Sequence, residues 1–335
     1  MKYETKNAGC PICHCRNFDY LFSAKPLDYS VDCKFDIYKC KECGHGVTKV
    51  NDNVSLHELY NQGSYNVNES IVQKILRPFL NRLEFGTVRL LNKWANGSNL
   101  FEIGVGKGHF LFAASKLGFN VSGIEPSERS FSFAKKLLGH SVVYKKTLDE
   151  YVATSQKKFD MIYAWHVLEH ISDPDSAIRH IKAILKPRGI VMIAVPNFSS
   201  FQAQFGKENW YHLDPPRHLH HFTPSGLTRL FKNNGMDILE VSYSSFFQNW
   251  IGEHITLLNW LSPQKNVLFN IARMNSSFFK VFSKMEITIV AIWNVVLSLL
   301  LLPVTLLMTF VNQFFRKSGT VVVIAKNGND KGSVA

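Results

Sequence analysis

The run Leu100-Phe-Glu-Ile-Gly-Val-Gly-Lys-Gly-His-Phe110 constrains this chain more than any other segment. A short apolar stretch, long enough for one strand, passes into Gly104, Gly106 and Gly108. An apolar helical pattern from Phe110 to Leu117 follows. Glycines between a strand and a helix let the backbone turn tightly and approach a ligand closely. The spacing is GxGxG. A dinucleotide fingerprint would need its third glycine at position 109, where His stands, and a P-loop would need Ser or Thr after Lys107 and a glycine at 101.

The following segments repeat the strand-helix alternation. Asn120-Val-Ser-Gly-Ile-Glu125 reads as a second strand ending in an acid. That acid falls about 20 residues after the glycines, where a carboxylate accepts hydrogen bonds from ribose hydroxyls. A third strand at Ser141–Tyr144 leads into Thr147-Leu-Asp-Glu150, and a fourth, Phe159–Ala164, runs into Trp165-His-Val-Leu-Glu-His170. Asp173-Pro174 supplies an N-cap and a first-turn proline for a helix ending near Leu185. Lys186-Pro-Arg-Gly189 reads as a turn before a fifth strand, Ile190–Val195. Such alternation predicts an α/β fold with a parallel, doubly wound sheet.

FEIGVGKG, GIEPS, FDMIYAWHVLEHISDP and LKPRGIVMIAVPN together resemble the successive motifs of class I S-adenosylmethionine (SAM)-dependent methyltransferases. The resemblance implies a Rossmann-like, seven-stranded sheet with SAM as cofactor. It places Gly104, Gly106 and Gly108 at the methionine end of the cofactor, with Glu102 beneath the loop. Glu125 would hold the ribose and Pro126 would shape its loop. Thr147 and Leu148 would flank the adenine, and Trp165 and His166 would close over the cofactor. The later run Leu213-Asp-Pro-Pro-Arg-His-Leu-His-His-Phe-Thr-Pro224, with the cysteine-rich N-terminus, resembles a bacterial subgroup associated with surface-polysaccharide and lipid-linked glycan pathways. The core is similar to the ubiquinone-type methyltransferases.

Methyl transfer needs alignment of donor and acceptor more than covalent help, but a hydroxyl acceptor also needs a base. His218 is the first candidate and His221 the second, with Arg217 placed to grip a phosphate or carboxylate. Against these roles, Thr223-Pro224 is an ordinary helix start, so some of the histidines are expected to pack or cap. His170 reads as a structural hydrogen-bonding residue.

All six cysteines precede residue 44. Cys10-Pro-Ile-Cys13 and Cys40-Lys-Glu-Cys43, with 26 residues between them, read as a structural zinc site in a zinc-ribbon-like module over 1–50. His14, Cys15, Cys33 and His45 are competing ligands. Phe35–Lys39 alternates like a strand. Met1–Cys10 is polar without an apolar signal core, which predicts a cytoplasmic chain. Residues 51–97 read as a helical linker carrying Leu76, Phe79, Leu80, Leu83, Val88, Leu91 and Trp94.

The SAM-binding domain is expected over 98–245, with Met236–Tyr243 as sixth strand. The seventh, Thr320–Lys326, opens a final segment, 319–335. Between them, 246–318 forms an apolar insertion. Its stretch Ile287–Val311 contains no Asp, Glu, Lys or Arg and has the length of a membrane span. Basic residues flank both ends, and a single crossing would strand the seventh strand on the far side. A re-entrant or interfacial hairpin turning at Pro303, peripheral on the inner membrane face, is therefore expected, with a buried lid or oligomer interface as the competing reading. The net charge of +12, spread without a Lys/Arg block, favours an anionic lipid or phosphorylated partner over nucleic acid.

These features lead to a methyltransferase acting on a hydroxyl, with a carbon less favoured, of a sugar or lipid-linked glycan acceptor. A quinone-type or other small lipophilic acceptor stands second. A zinc-ribbon nucleic-acid-binding protein with a relic cofactor fold ranks last, because the glycine loop and the ribose acid are both intact.

Overall fold

The computed structural model describes residues 9–27, 29, 32–50, 71–94, 97–139, 142–243 and 245–328. The expected linker therefore lies outside the described residues over 51–70. Strands β1 (Phe18–Ala24), β2 (Phe35–Cys40) and β3 (Gly46–Lys49) form an antiparallel meander. Helix α1 (Ile71–Asn92) follows, and of its expected apolar stripe Val88 and Leu91 are fully buried, whereas Phe79 and Leu83 are exposed. Then come β4 (Asn99–Ile103), α2 (His109–Lys116), β5 (Asn120–Ile124), α3 (Glu128–Leu138), β6 (Val143–Tyr144), α4 (Leu148–Thr154) and β7 (Phe159–Trp165). Beyond them lie α5 (Pro174–Ile184), β8 (Leu185–Pro196), α6 (Phe201–Gly206), β9 (His220–His221), α7 (Pro224–Asn233) and β10 (Met236–Ser242). The insertion holds α8 (Phe246–Leu261), α9 (Val267–Ala272), α10 (Ser276–Val281) and α11 (Lys284–Phe314), before β11 (Thr320–Asn327).

Local chemistry accounts for several boundaries. Asp173 caps α5 by accepting from the Ser176 N–H, and Pro174 opens its first turn. Thr147 and Glu150 form a reciprocal capping box on α4, as Ser283 and Glu286 do on α11. Thr223 accepts from the Gly226 N–H at the start of α7.

The large sheet has the order β10-β11-β8-β7-β4-β5-β6. The pairs β4/β5, β4/β7, β5/β6 and β7/β8 are parallel. Strand β11 runs against β8: its last residue, Asn327, bonds the Lys186 carbonyl, while Gly319 just before it accepts from Asn197 beyond the other end of β8. The seven-stranded Rossmann-like expectation is met, with the sixth and seventh strands within a residue of the expected bounds. Between Lys186 and Gly189 the expected turn is instead an irregular stretch inside β8. Phe159 pairs with Leu185 and Met161 with Ile190, so the extra residues bulge out of the ladder, with Arg188 at φ +62°.

The chain divides into two compact units. One comprises 71–194, 227–241 and 322–335, and carries most of the large sheet. Its core joins Leu100, Leu111, Met161, Ile190 and Met192 to Val88 and Leu91 of α1. The other comprises 1–70, 195–226 and 242–321. Here β9 pairs antiparallel with β3, so the His-rich run completes the N-terminal sheet. A core of Ala24, Ile37, Ala203, Trp210 and Leu213 lies under that sheet. This partition assigns 195–226 and the apolar insertion to the same unit as the cysteine module, not to separate domains.

Candidate cofactor and active site

The glycine loop sits at the carboxyl end of β4, where ligands bind in doubly wound sheets. Gly104, Gly106 and Gly108 all have positive φ, at +74°, +55° and +81°. Their reasons differ. A Cβ on Gly104 would come within 2.5 Å of Val167 Cγ2, so packing forbids it. A Cβ on Gly106 would meet nothing within 4 Å, so the space beside this backbone is open. The Gly106 N–H donates to Glu125 Oε2 at 2.8 Å, and the Ser127 N–H to Glu125 Oε1 at 2.9 Å. Glu125 is thus held against the loop with lone pairs remaining for ligand hydroxyls. Burial raises its pKa, opposed by those two backbone bonds.

Glu102 is buried two residues before Gly104, and its Oε2 has no hydrogen-bond partner among the described residues. Burial holds its pKa well above the usual carboxylate range, with Glu84 and Glu125 adding repulsion. On the next strand, Trp165 and Tyr163 stack, and Phe110 stacks on Tyr163 at 3.7 Å. His166 is at φ +52°, its N–H bonds the Ala194 carbonyl, and its Nδ1 lies 3.4 Å from the buried Glu169 carboxylate. Non-glycine strain of this kind gathers at functional sites. Glu169 and Val167 received no role from the sequence. The signal was present in the VLEH run, but only the fold shows that Val167 abuts Gly104. Leu168–His170 is one 3-10 turn. Thr147 spends its hydroxyl on the α4 cap, and Leu148 is buried. Glu102, the three glycines, Glu125, Pro126, Thr147, Leu148, Trp165 and His166 all fall in one compact unit. The residues fit SAM: an open backbone cradle, a positioned acid for ribose hydroxyls and aromatic walls.

A family profile for a methyltransferase domain matches residues 72–241. The chain belongs to the methyltransferase domain family. It is a class I SAM-dependent methyltransferase, and its fold and intact loop exclude the relic reading. Two relatives named ubiquinone biosynthesis O-methyltransferase are similar to it. The one from Bradyrhizobium diazoefficiens is 30% identical over 175 residues, 49% of this chain and 68% of the relative. The one from Nitrobacter winogradskyi is 31% identical over 166 residues, 46% of this chain and 63% of the relative. The chain thus spans about two thirds of these relatives. Among solved structures, the magnesium protoporphyrin IX methyltransferase from Synechocystis with bound SAM has a TM-score of 0.42. It is 16% identical, with 58% of this chain and 93% of that one covered.

The expected catalytic residues lie in the other unit. Arg217 is buried and its guanidinium clamps Asp214 in the same turn through Nε and Nη2. His218 is buried, its Nδ1 bonds the His212 carbonyl at 2.7 Å, and its Nε2 lies 4.0 Å from Asp214 Oδ2. His221 is buried in β9, with Nε2 at 2.9 Å from Thr48 Oγ1. Burial, with His220 alongside, lowers its pKa to about 3. His45 Nε2 contacts His220 Nδ1 at 3.1 Å, away from any thiolate role.

The sulfurs of Cys10, Cys13, Cys40 and Cys43 lie within 4.8 Å of one another. Cys10 pairs with Cys43 and Cys13 with Cys40, each at 3.5 Å. The Cys10–Cys43 contact splits that pair, pushing the Cys10 thiol up and pulling Cys43 down to about 5. Both CxxC turns are closed by backbone bonds, His14 N–H to Cys10 O and Gly44 N–H to Cys40 O. Four convergent sulfurs fit a tetrahedral thiolate metal, and neither Cys15 nor Cys33 belongs to the cluster found among the described residues.

Proposed function

We propose that this methyltransferase acts on a ring hydroxyl of a small lipophilic, quinone-type acceptor. The observation that supports this reading is the 30% identity, over 175 residues, to a relative named ubiquinone biosynthesis O-methyltransferase. The glycan acceptor expected first takes second place. Its motives are the charge of +12, the apolar insertion and the resemblance of the 213–224 run and the cysteine-rich N-terminus to a glycan-pathway subgroup, and the first two are met equally by a membrane surface and a lipophilic acceptor.

When bound, SAM supplies an electrophilic methyl group on a sulfonium. In this reading Glu125 anchors the ribose, Gly104, Gly106 and Gly108 leave room for the methionine end, and Thr147 and Leu148 border the adenine. Trp165 and His166 wall the site. His218 is the preferred base by residue type, imidazole being the usual general base for a hydroxyl acceptor. His221, with its pKa near 3 and its Thr48 contact, is suited to holding β9 on β3. Arg217, engaged by Asp214, is suited to shaping the loop. The four cysteines hold a structural zinc, leaving no open coordination position for catalysis.

Full-length protein is incubated with methyl-tritiated SAM and either a dihydroxylated aromatic ring bearing a short prenyl tail or a polyprenyl-phosphate sugar. Label extracted with the aromatic compound, lost in His218→Gln while SAM binding is kept, is the expected result. Label entering only the sugar overturns the acceptor assignment.

A further inference from the structure

The insertion is arranged inside out relative to a soluble helix pair. Helix α11 is unbroken from Lys284 to Phe314, so Pro303 makes no hairpin turn. Its 31 residues extend about 45 Å at 1.5 Å per residue. It packs antiparallel on α8. Trp250 Nε1 donates to Thr305 Oγ1 at 3.1 Å, and His254 reaches both Thr305 and Ser298. The Glu253 carboxylate accepts from Thr309 and Asn312, and Asn294 Nδ2 donates to Ser262. From Asn294 to Asn312, these polar groups of α11 therefore face the protein.

The opposite stripe is apolar and bare. Ile289, Ile292, Leu299, Leu307, Phe310 and Phe314 recur at helical spacing and are 59–83% exposed. Only 11% of the most apolar window of α11 is buried, so the buried-lid expectation fails. In water this stripe is an exposed apolar patch far longer than monomeric proteins present.

We propose that α11 lies in the plane of an anionic lipid leaflet, its apolar stripe in the headgroup–acyl boundary, and does not cross the membrane. Two observations select a lipid surface and this orientation. First, both ends of α11 are tied back into one compact unit. Near its N-terminus, Ile287 and Val290 pack with Phe278 and Phe282, which contact the Tyr29 ring. At its C-terminus, the Phe201 N–H donates to the Lys317 carbonyl and Asn197 Nδ2 to the Ser318 carbonyl. A crossing helix would place these anchors on opposite sides of the hydrocarbon. Second, exposed basic residues mark both ends: Lys280 before the helix and Lys284 at its start, Arg316 and Lys317 after it. That symmetry suits anionic headgroups along one surface, whereas a span concentrates basic residues on one side. The placement does not depend on which acceptor is methylated.

The test uses full-length protein and vesicles of phosphatidylglycerol or of phosphatidylcholine alone. Flotation with the anionic vesicles is expected, with at least a tenfold loss of binding for Leu299→Asp and again for Leu307→Asp. Both side chains are 65–70% exposed, so circular dichroism and SAM binding should be unchanged. A nitroxide amino acid placed singly at positions 285, 299 and 314 then reports depth by oxygen and nickel accessibility. Similar shallow depths at all three support the in-plane helix. A deep centre with shallow ends overturns it in favour of a span. Failure to float, with light scattering showing a dimer that the two aspartates dissolve, overturns it in favour of a second copy on this face.

Discussion

Gly104 shows how narrow the tolerance of the cofactor loop is. At φ +74°, with Val167 2.5 Å from a would-be Cβ, Gly104→Ala combines backbone strain with a clash. It should cost about 1–3 kcal/mol of stability, read by urea unfolding. Glu125 acts through the ligand, so Glu125→Ala should weaken SAM binding about 10- to 100-fold in titration calorimetry. Glu102 carries a pH signature. Its folded pKa is raised above the unfolded value, so its charged form penalises the fold at neutral pH. The penalty fades as pH falls to the ordinary carboxylate range. Glu102→Gln should therefore raise the melting temperature of ligand-free protein at pH 7, and that gain should vanish near pH 4.5. His221 works in the opposite direction. Its folded pKa, near 3, lies below the unfolded value, so the fold loses stability as pH falls from the usual histidine range towards 3. His221→Gln should flatten that decline in acid-unfolding curves.

At the scale of elements, β9 is two residues long and survives because side chains supply what the ladder cannot. Thr48 on β3 donates to the His218 carbonyl at 2.6 Å and contacts His221, and the cysteine turns hold the other edge of β3. Removing the metal should loosen this sheet. Elemental analysis should find the proposed zinc at one per chain, and Cys40→Ser should abolish it and lower the melting temperature. The α8–α11 pair depends on satisfied polar groups in the same way. Thr309→Val removes a donor from the buried Glu253 carboxylate and should cost about 1–3 kcal/mol. Glu253→Leu combined with Thr309→Val should recover much of that loss.

For the whole molecule, the cofactor cradle and the acidic anchor lie together in one unit, so SAM should stabilise the fold by binding the native state alone. At 100 times its dissociation constant the gain should be about 2.7 kcal/mol, seen as an upward shift in melting temperature and absent in Glu125→Ala. The second unit gathers the cysteine cluster, the His-rich run and the apolar helices. These three segments are far apart in sequence, and the sequence alone places the His-rich run within the SAM-binding domain over 98–245. The candidate base, the four-cysteine cluster and the exposed apolar helix thus share one compact unit.

Local sequence determined a great deal here. Strand and helix alternation, the glycine loop, the Asp173-Pro174 and Thr223-Pro224 helix starts and the convergence of two CxxC pairs follow from short-range chemistry, and each is present near its expected position. The bulge at Lys186–Gly189 was read as a turn because turn residues look alike whether or not a neighbouring strand absorbs them. Pro303 was read as a corner, yet α11 passes through it unbroken, with α8 beside it supplying packing and polar bonds. The histidines were the least readable. His221 and Thr48 are 173 positions apart, and His45 and His220 are 175. Burial and partner choice at such separations are set by strand pairing, so only the tertiary structure decided which imidazoles are locked against β3.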